Sequence, residues 1–148
     1  MEARIEEILN FAIQQEKKML ALADDIETIK LNAMERKLIE DLRKVSEKNT
    51  LYFERNLSEL TESVRVFRIT NLSLDDLDVE ISEDIPKDHP ALLILAMKFC
   101  NNFVRLFTKT LDSMKDISLK KNLKIMIDEK QKLKSRLELI YDELILNK

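Results

Sequence analysis

The stretch Ala12–Met19, AIQQEKKM, decides how this chain is read, and Glu16 is its centre. Steps of four and three residues from Ile5 land on Leu9, Ala12, Glu16, Met19, Ala23 and Ile26. That spacing is one face of an amphipathic helix, and every position on it except Glu16 is apolar. A carboxylate in the middle of a core-facing stripe needs a partner. Unpaired and buried, it costs several kcal/mol or takes up a proton.

Three more stripes follow this first helix, which spans about residues 2–29. Asn32 reads as an N-cap, with Glu35 as the back half of a capping box. It opens a second helix over 33–63, whose inward stripe is Leu38, Leu42, Ser46, Asn49, Phe53, Leu57 and Leu60. Ser46 and Asn49 make the middle of that stripe polar as well. His89 precedes Pro90, and proline suits the first turn of a helix. A third helix is expected over 90–114, with Leu93, Ala96, Cys100, Phe103, Phe107, Thr110 and Met114 inward. Asp116 or Ser118 caps a fourth over 118–146. Its stripe runs from Leu119 through Leu123, Met126, Lys130, Leu133, Leu137 and Ile140 to Leu144, and only Lys130 is out of character.

Residues 64–89 break the pattern. Apolar residues alternate at Val64 and Val66, then at Leu77, Val79 and Ile81, which suits extended chain. Ser73-Leu-Asp-Asp can cap one short helical turn. Seven acidic side chains stand against three basic ones here, and at 26 residues the connection is far longer than a helical hairpin requires. It is long enough to run from one end of a bundle to the other, so the second and third helices are expected to run parallel. A shift of 84 residues places Ala12 on Ala96, Glu16 on Cys100, Asn32 on Asp116, Ser46 on Lys130 and Asn49 on Leu133. The expectation is one all-α domain over 1–148, a four-helix bundle of two hairpins joined by a long crossover.

The composition agrees with long helices around one core. Apolar residues make up 45% and charged residues 36% of the chain, where about a quarter is usual for the latter. Glycine is absent and only Pro86 and Pro90 interrupt the chain, which excludes a Gly-rich phosphate loop or a dinucleotide fingerprint. A net charge of −3 offers no general reason to expect nucleic acid. Cys100 is the only cysteine, so no disulfide forms within the chain and a reducing, cytoplasmic compartment is expected. No apolar run reaches the length of a membrane span, and MEARIEEI lacks the apolar centre of a signal peptide.

The layout resembles the ferritin-like superfamily, its rubrerythrin-like branch most closely. The resemblance rests on IEEILNFAIQQEKKMLAL in the first helix, KLIEDLRKVSEKNTLYF in the second and NLKIMIDEKQKLKSRL in the fourth. It implies two metal ions, iron or manganese, inside the bundle. A Glu on each of two helices and Glu-x-x-His on each of the other two would hold them. Glu16 keeps the first of these positions. The others fall on Ser46 and Asn49, on Cys100, and on Lys130 and Leu133, and no histidine lies on the four expected helices. A pair of hard divalent ions needs several carboxylates to offset its charge, so no metal cofactor is expected. Shifting the second helix by one residue brings Glu47 and Thr50 to the site, and shifting the fourth brings Glu129 and Lys132. These registers restore carboxylates but no histidine, and they suit the leucine stripe less well.

Glu16 is therefore read as the ion-pair partner of Lys130, whose ammonium takes the place of the lost cations, with Ser46 or Asn49 satisfying the remaining polar valences. The alternative is a residual metal or catalytic carboxylate in an iron- or manganese-dependent redox protein of the rubrerythrin type. Cys100 is read as an inert core thiol rather than a redox one, and His89 as a solvated cap rather than a metal ligand with Asp88. The fourth helix is basic outside, with eight Lys and Arg against three acidic residues over 115–136. No aromatics interleave that face, as a single-strand binder would require. It is expected to be solvated, or to dock on the acidic crossover of this or another chain. The leading expectation is a non-catalytic bundle that associates with a protein partner or with its own copies. A regulatory module using the basic helix is a further one.

Overall fold

The structure, a computed structural model, describes residues 2–60, 68–81 and 88–146. It is an all-α four-helix bundle carrying a two-stranded ribbon at one end. Strand β1 is Glu2–Arg4 and helix α1 is Ile5–Glu27; α2 is Ala33–Glu59, β2 is Arg68–Thr70, α3 is His89–Ser113 and α4 is Ile117–Leu146. The first correction is at the start. Glu2–Arg4, expected to be helical, pairs antiparallel with Arg68–Thr70, Ala3 opposite Ile69, and both of those side chains are buried. The second is at the end of α2: Leu60 has turned to extended backbone, short of the expected Ser63, and residues 61–63 lie outside those described. So do Val64 and Val66.

The caps are local, and those at Asn32 and Asp116 form where the sequence places them. Asn32, Asp88 and Asp116 each accept a hydrogen bond from the backbone N–H three residues on, at 2.8, 2.9 and 2.9 Å. Asp116, not Ser118, therefore caps α4. Asp88 rather than His89 caps α3, so His89 is already its first helical residue. Glu35 does not close a capping box, because its carboxylate is drawn to His89 instead, 2.8 Å away.

Two apolar clusters fill the bundle. One joins Ile8 and Leu9 of α1 to Phe53 of α2, Phe107 and Leu111 of α3, and Leu119 and Leu123 of α4. Its centre is aromatic, with Phe53 and Phe107 stacked at 5.3 Å and 11°. The other joins Leu22 and Ile26 of α1 to Leu38 and Leu42 of α2, Leu92 and Ala96 of α3, and Leu137 and Ile140 of α4. The start of α1 thus meets the ends of α2 and α3, so α2 and α3 run parallel. Among the described residues, α3 is the one helix long and apolar enough to cross a membrane, and its apolar face packs in this core.

Parallel α2 and α3 oblige the connection to travel the length of the bundle. After β2, Asn71 takes a left-handed backbone conformation, which asparagine tolerates, and its carbonyl accepts from Lys109 Nζ. Leu72 and Leu77 then pack into the first cluster and Val79 into the second. A single 3-10 turn at Asp75–Leu77 occupies the expected short helical turn. Lys18 Nζ and Gln15 Nε2 hold Asp78 at 2.7 and 2.8 Å, and Asn102 Nδ2 donates to the Leu77 carbonyl at 3.0 Å. The described part of the acidic crossover therefore covers α1 and α3 rather than the basic face of α4 in the same chain.

Candidate functional site

Between the two apolar clusters lies one polar layer. Glu16, Ser46, Asn49 and Lys130 come together there from α1, α2 and α4, each at most 2% exposed. These are the positions at which the helical stripes of the sequence turn polar. Lys130 is long enough to cross the bundle centre from α4 to the diagonal helix α1. Its Nζ stands 2.6 Å from Glu16 Oε1 and 5.1 Å from the centre of the Phe103 ring on α3. The ammonium is thus held by a carboxylate at one side and an aromatic face at another, a combination that offsets part of its lost hydration.

Burial pushes the Glu16 carboxyl above its ordinary range, and the Lys130 charge pulls it only partly back. Asn49 and Ser46 pull in the same direction as Lys130, more weakly, because both lie near the carboxylate. Neither reaches it with hydrogen-bond geometry. Glu16 Oε2, Ser46 Oγ and both amide atoms of Asn49 are buried without a hydrogen-bond partner among the described residues. The pair forms as expected, and Ser46 and Asn49 lie on the side of Glu16 where its remaining valences were expected to be met, each favouring its charged form.

The other positions read from the sequence divide clearly. Cys100 is fully buried beside this layer, and burial pushes its thiol up to about 11, which suppresses the nucleophilic thiolate. Leu133 belongs to the second apolar cluster. Glu47 faces solvent on the outside of α2. Glu129 lies at the α2–α4 surface, paired with Lys48 at 2.6 Å, and Lys132 is exposed beside Asp128. The shifted registers thus bring no carboxylate to the centre. Among the described residues no three His, Cys, Asp or Glu side chains come together as a metal would require.

His89 is not a solvated cap. Its Nε2 and Glu35 Oε2 are 2.8 Å apart and the two side chains only 15% and 13% exposed, although the approach lacks hydrogen-bond geometry. Asp88 caps α3 and takes no part in that contact. Sequence reasoning missed this pair because it links the starts of two helices far apart in the chain. It also missed the role of Phe103, whose place on the α3 stripe one turn beyond Cys100 was visible but read only as core.

Space around Glu16 is minimal. A cavity of about 10 Å³ adjoins it, lined by Phe11, Gln15, Phe103 and Leu106 and roofed by Leu77. That holds about one water-sized group and no organic substrate. The larger hollows, of about 470 and 520 Å³, open at the α1–α2 turn around Lys30 and Arg36 and beside Asp75–Glu80, away from the buried pair. A scan against protein-family models finds no match, and searches of the curated proteins and of the solved structures find none either.

Proposed function

We propose that this chain is a ferritin-like bundle of the rubrerythrin type whose metal centre has been replaced by an internal ion pair, and that it acts by association rather than catalysis, in a reducing cytoplasmic setting. The observation that carries the reading is the Glu16–Lys130 pair, 2.6 Å apart at the centre of the bundle. The resemblance puts a di-metal site at that point, and a fixed ammonium there supplies positive charge to the one surviving carboxylate. Parallel α2 and α3 with a crossover along the side support the same reading, because the superfamily's long connection implies that topology. The narrowness of the cavity beside Glu16 speaks against turnover, since a substrate would have to displace Leu77 or Phe103 to reach it. The test is elemental analysis of protein expressed with supplementary iron and manganese. The expected content is far below one metal per chain, and stoichiometric metal would return the reading to a working redox protein.

A further inference from the structure

The outer surface of α4 carries a second pattern. Lys121, Ile125, Asp128, Lys132, Arg136, Leu139 and Glu143 succeed one another at helical spacings of three and four, so they share one stripe. All but Arg136 are exposed, and Ile125 and Leu139 leave 51% and 64% of their surface uncovered. The described crossover lies on α1 and α3, so it does not shield this side. Read backwards about Lys132, the stripe is its own complement: Asp128 answers Arg136, Ile125 answers Leu139 and Lys121 answers Glu143.

We propose that the protein is a two-fold symmetric homodimer in which two copies meet along antiparallel α4 helices centred on Lys132, Ile125 packing on Leu139 of the second copy and Lys121 pairing with Glu143 of the second copy. The proposal rests on the association reading above and names the partner as a second copy of the chain. A two-fold axis makes every such contact twice. Parallel copies would instead oppose Lys121 to Lys121 and Asp128 to Asp128, so the charges select the antiparallel arrangement.

The relief of the surface has the same symmetry. Beside Ile125 lies a hollow of about 180 Å³ lined by Lys48, Tyr52 and Met126. Beside Leu139 lies one of about 130 Å³ lined by Met34, Leu38 and Ile140. Antiparallel docking carries Leu139 of one copy to the first hollow and Ile125 of the same copy to the second, side chains into gaps as at packed helix interfaces. Lys121 and Glu143 have no ion-pair partner among the described residues and are free to pair across the interface. Arg136 holds Asp41 through one nitrogen at 2.9 Å and has further N–H groups to offer Asp128 of the second copy. Lys132 meets its symmetry mate on the axis, and its pairing with Asp128 at 3.0 Å tempers that repulsion.

Sedimentation velocity on the full chain at micromolar concentration tests this. The expected species is a dimer. Lys121→Glu alone, or Glu143→Lys alone, turns two attractions into two repulsions and is expected to weaken association on the order of tenfold. The double variant K121E/E143K rebuilds both pairs in reverse and is expected to recover the dimer. Lys132→Cys is expected to cross-link to its own mate under mild oxidation, with native Cys100 buried out of reach. All three positions changed here are exposed, and circular dichroism checks that each variant is folded. A wild-type monomer overturns the proposal. So does a dimer indifferent to the single reversals, or a weakened one that the double variant does not restore. Metal content is read separately, so a metal-loaded dimer would refute the proposed function and leave this interface standing.

Discussion

Replacing Lys130 by methionine keeps most of the side-chain volume and removes only the ammonium. Glu16 then has no counter-charge within reach, and at 2% exposure it has no water to turn to. Its cheapest escape is to take up a proton. Protonating a carboxyl of ordinary pKa 4.5 at pH 7 costs about 3.4 kcal/mol. Loss of the cation held over Phe103 adds to this, so Lys130→Met is expected to cost roughly 3–5 kcal/mol at neutral pH, the range found when one partner of a buried pair is removed. Glu16→Leu should cost a similar amount by leaving the ammonium unpaired. The double change removes both charges together and is expected to fall between neutral and stabilising.

The pH dependence supplies a second readout. Burial raises the folded carboxyl above its unfolded value of 4.5, so the folded chain keeps a proton where the unfolded chain has lost it. That contribution to stability is fully present below pH 4.5 and is lost as pH rises through the raised folded value. Lys130 narrows the window by pulling the carboxyl back down. Without it the window widens, so the penalty of Lys130→Met should grow as pH rises above the raised folded value of the wild type, by at most about 1.4 kcal/mol per pH unit. Urea unfolding of the four proteins across that range measures both effects. Single changes that add within about 0.5 kcal/mol, or a penalty that does not vary with pH, would refute the reasoning.

Two further outcomes are expected. Phe53→Ala removes the ring stacked on Phe107 at 5.3 Å in the centre of the first cluster; a loss of about 3–5 kcal/mol in chemical unfolding is expected, and a loss under about 1 kcal/mol would mean that the aromatic cluster is not packed as described. Cys100, fully buried and with its thiol pushed up to about 11, should resist alkylation by iodoacetamide at pH 8 in the native protein and react fully in denaturant; rapid native labelling, followed by mass spectrometry, would contradict its burial.

The four helices were legible in the chain because their determinants are local. The 3.6-residue period of Ile5, Leu9, Ala12 and Met19, and the caps at Asn32 and Asp116, act within a turn or two of the residues that carry them. Glu16 and Lys130 stood out for the same reason: each is the charge that breaks an apolar stripe. That they meet could be inferred from depth alone, because two charges at one level of a closed core have few other partners.

What only the tertiary structure decided involves elements far apart in sequence. Glu2–Arg4 left the helix because Arg68–Thr70 came alongside and offered its backbone a ladder, a partner that no local window contains. His89 turned from solvent to Glu35 because parallel α2 and α3 begin at the same end of the bundle. The crossover took the α1–α3 face because Gln15, Lys18 and Asn102 present it with hydrogen bonds there and Leu77 and Val79 find core beneath. Lys130 meets Glu16 across the diagonal because the separation of the two helices is set by how four helices close-pack and not by any one of them.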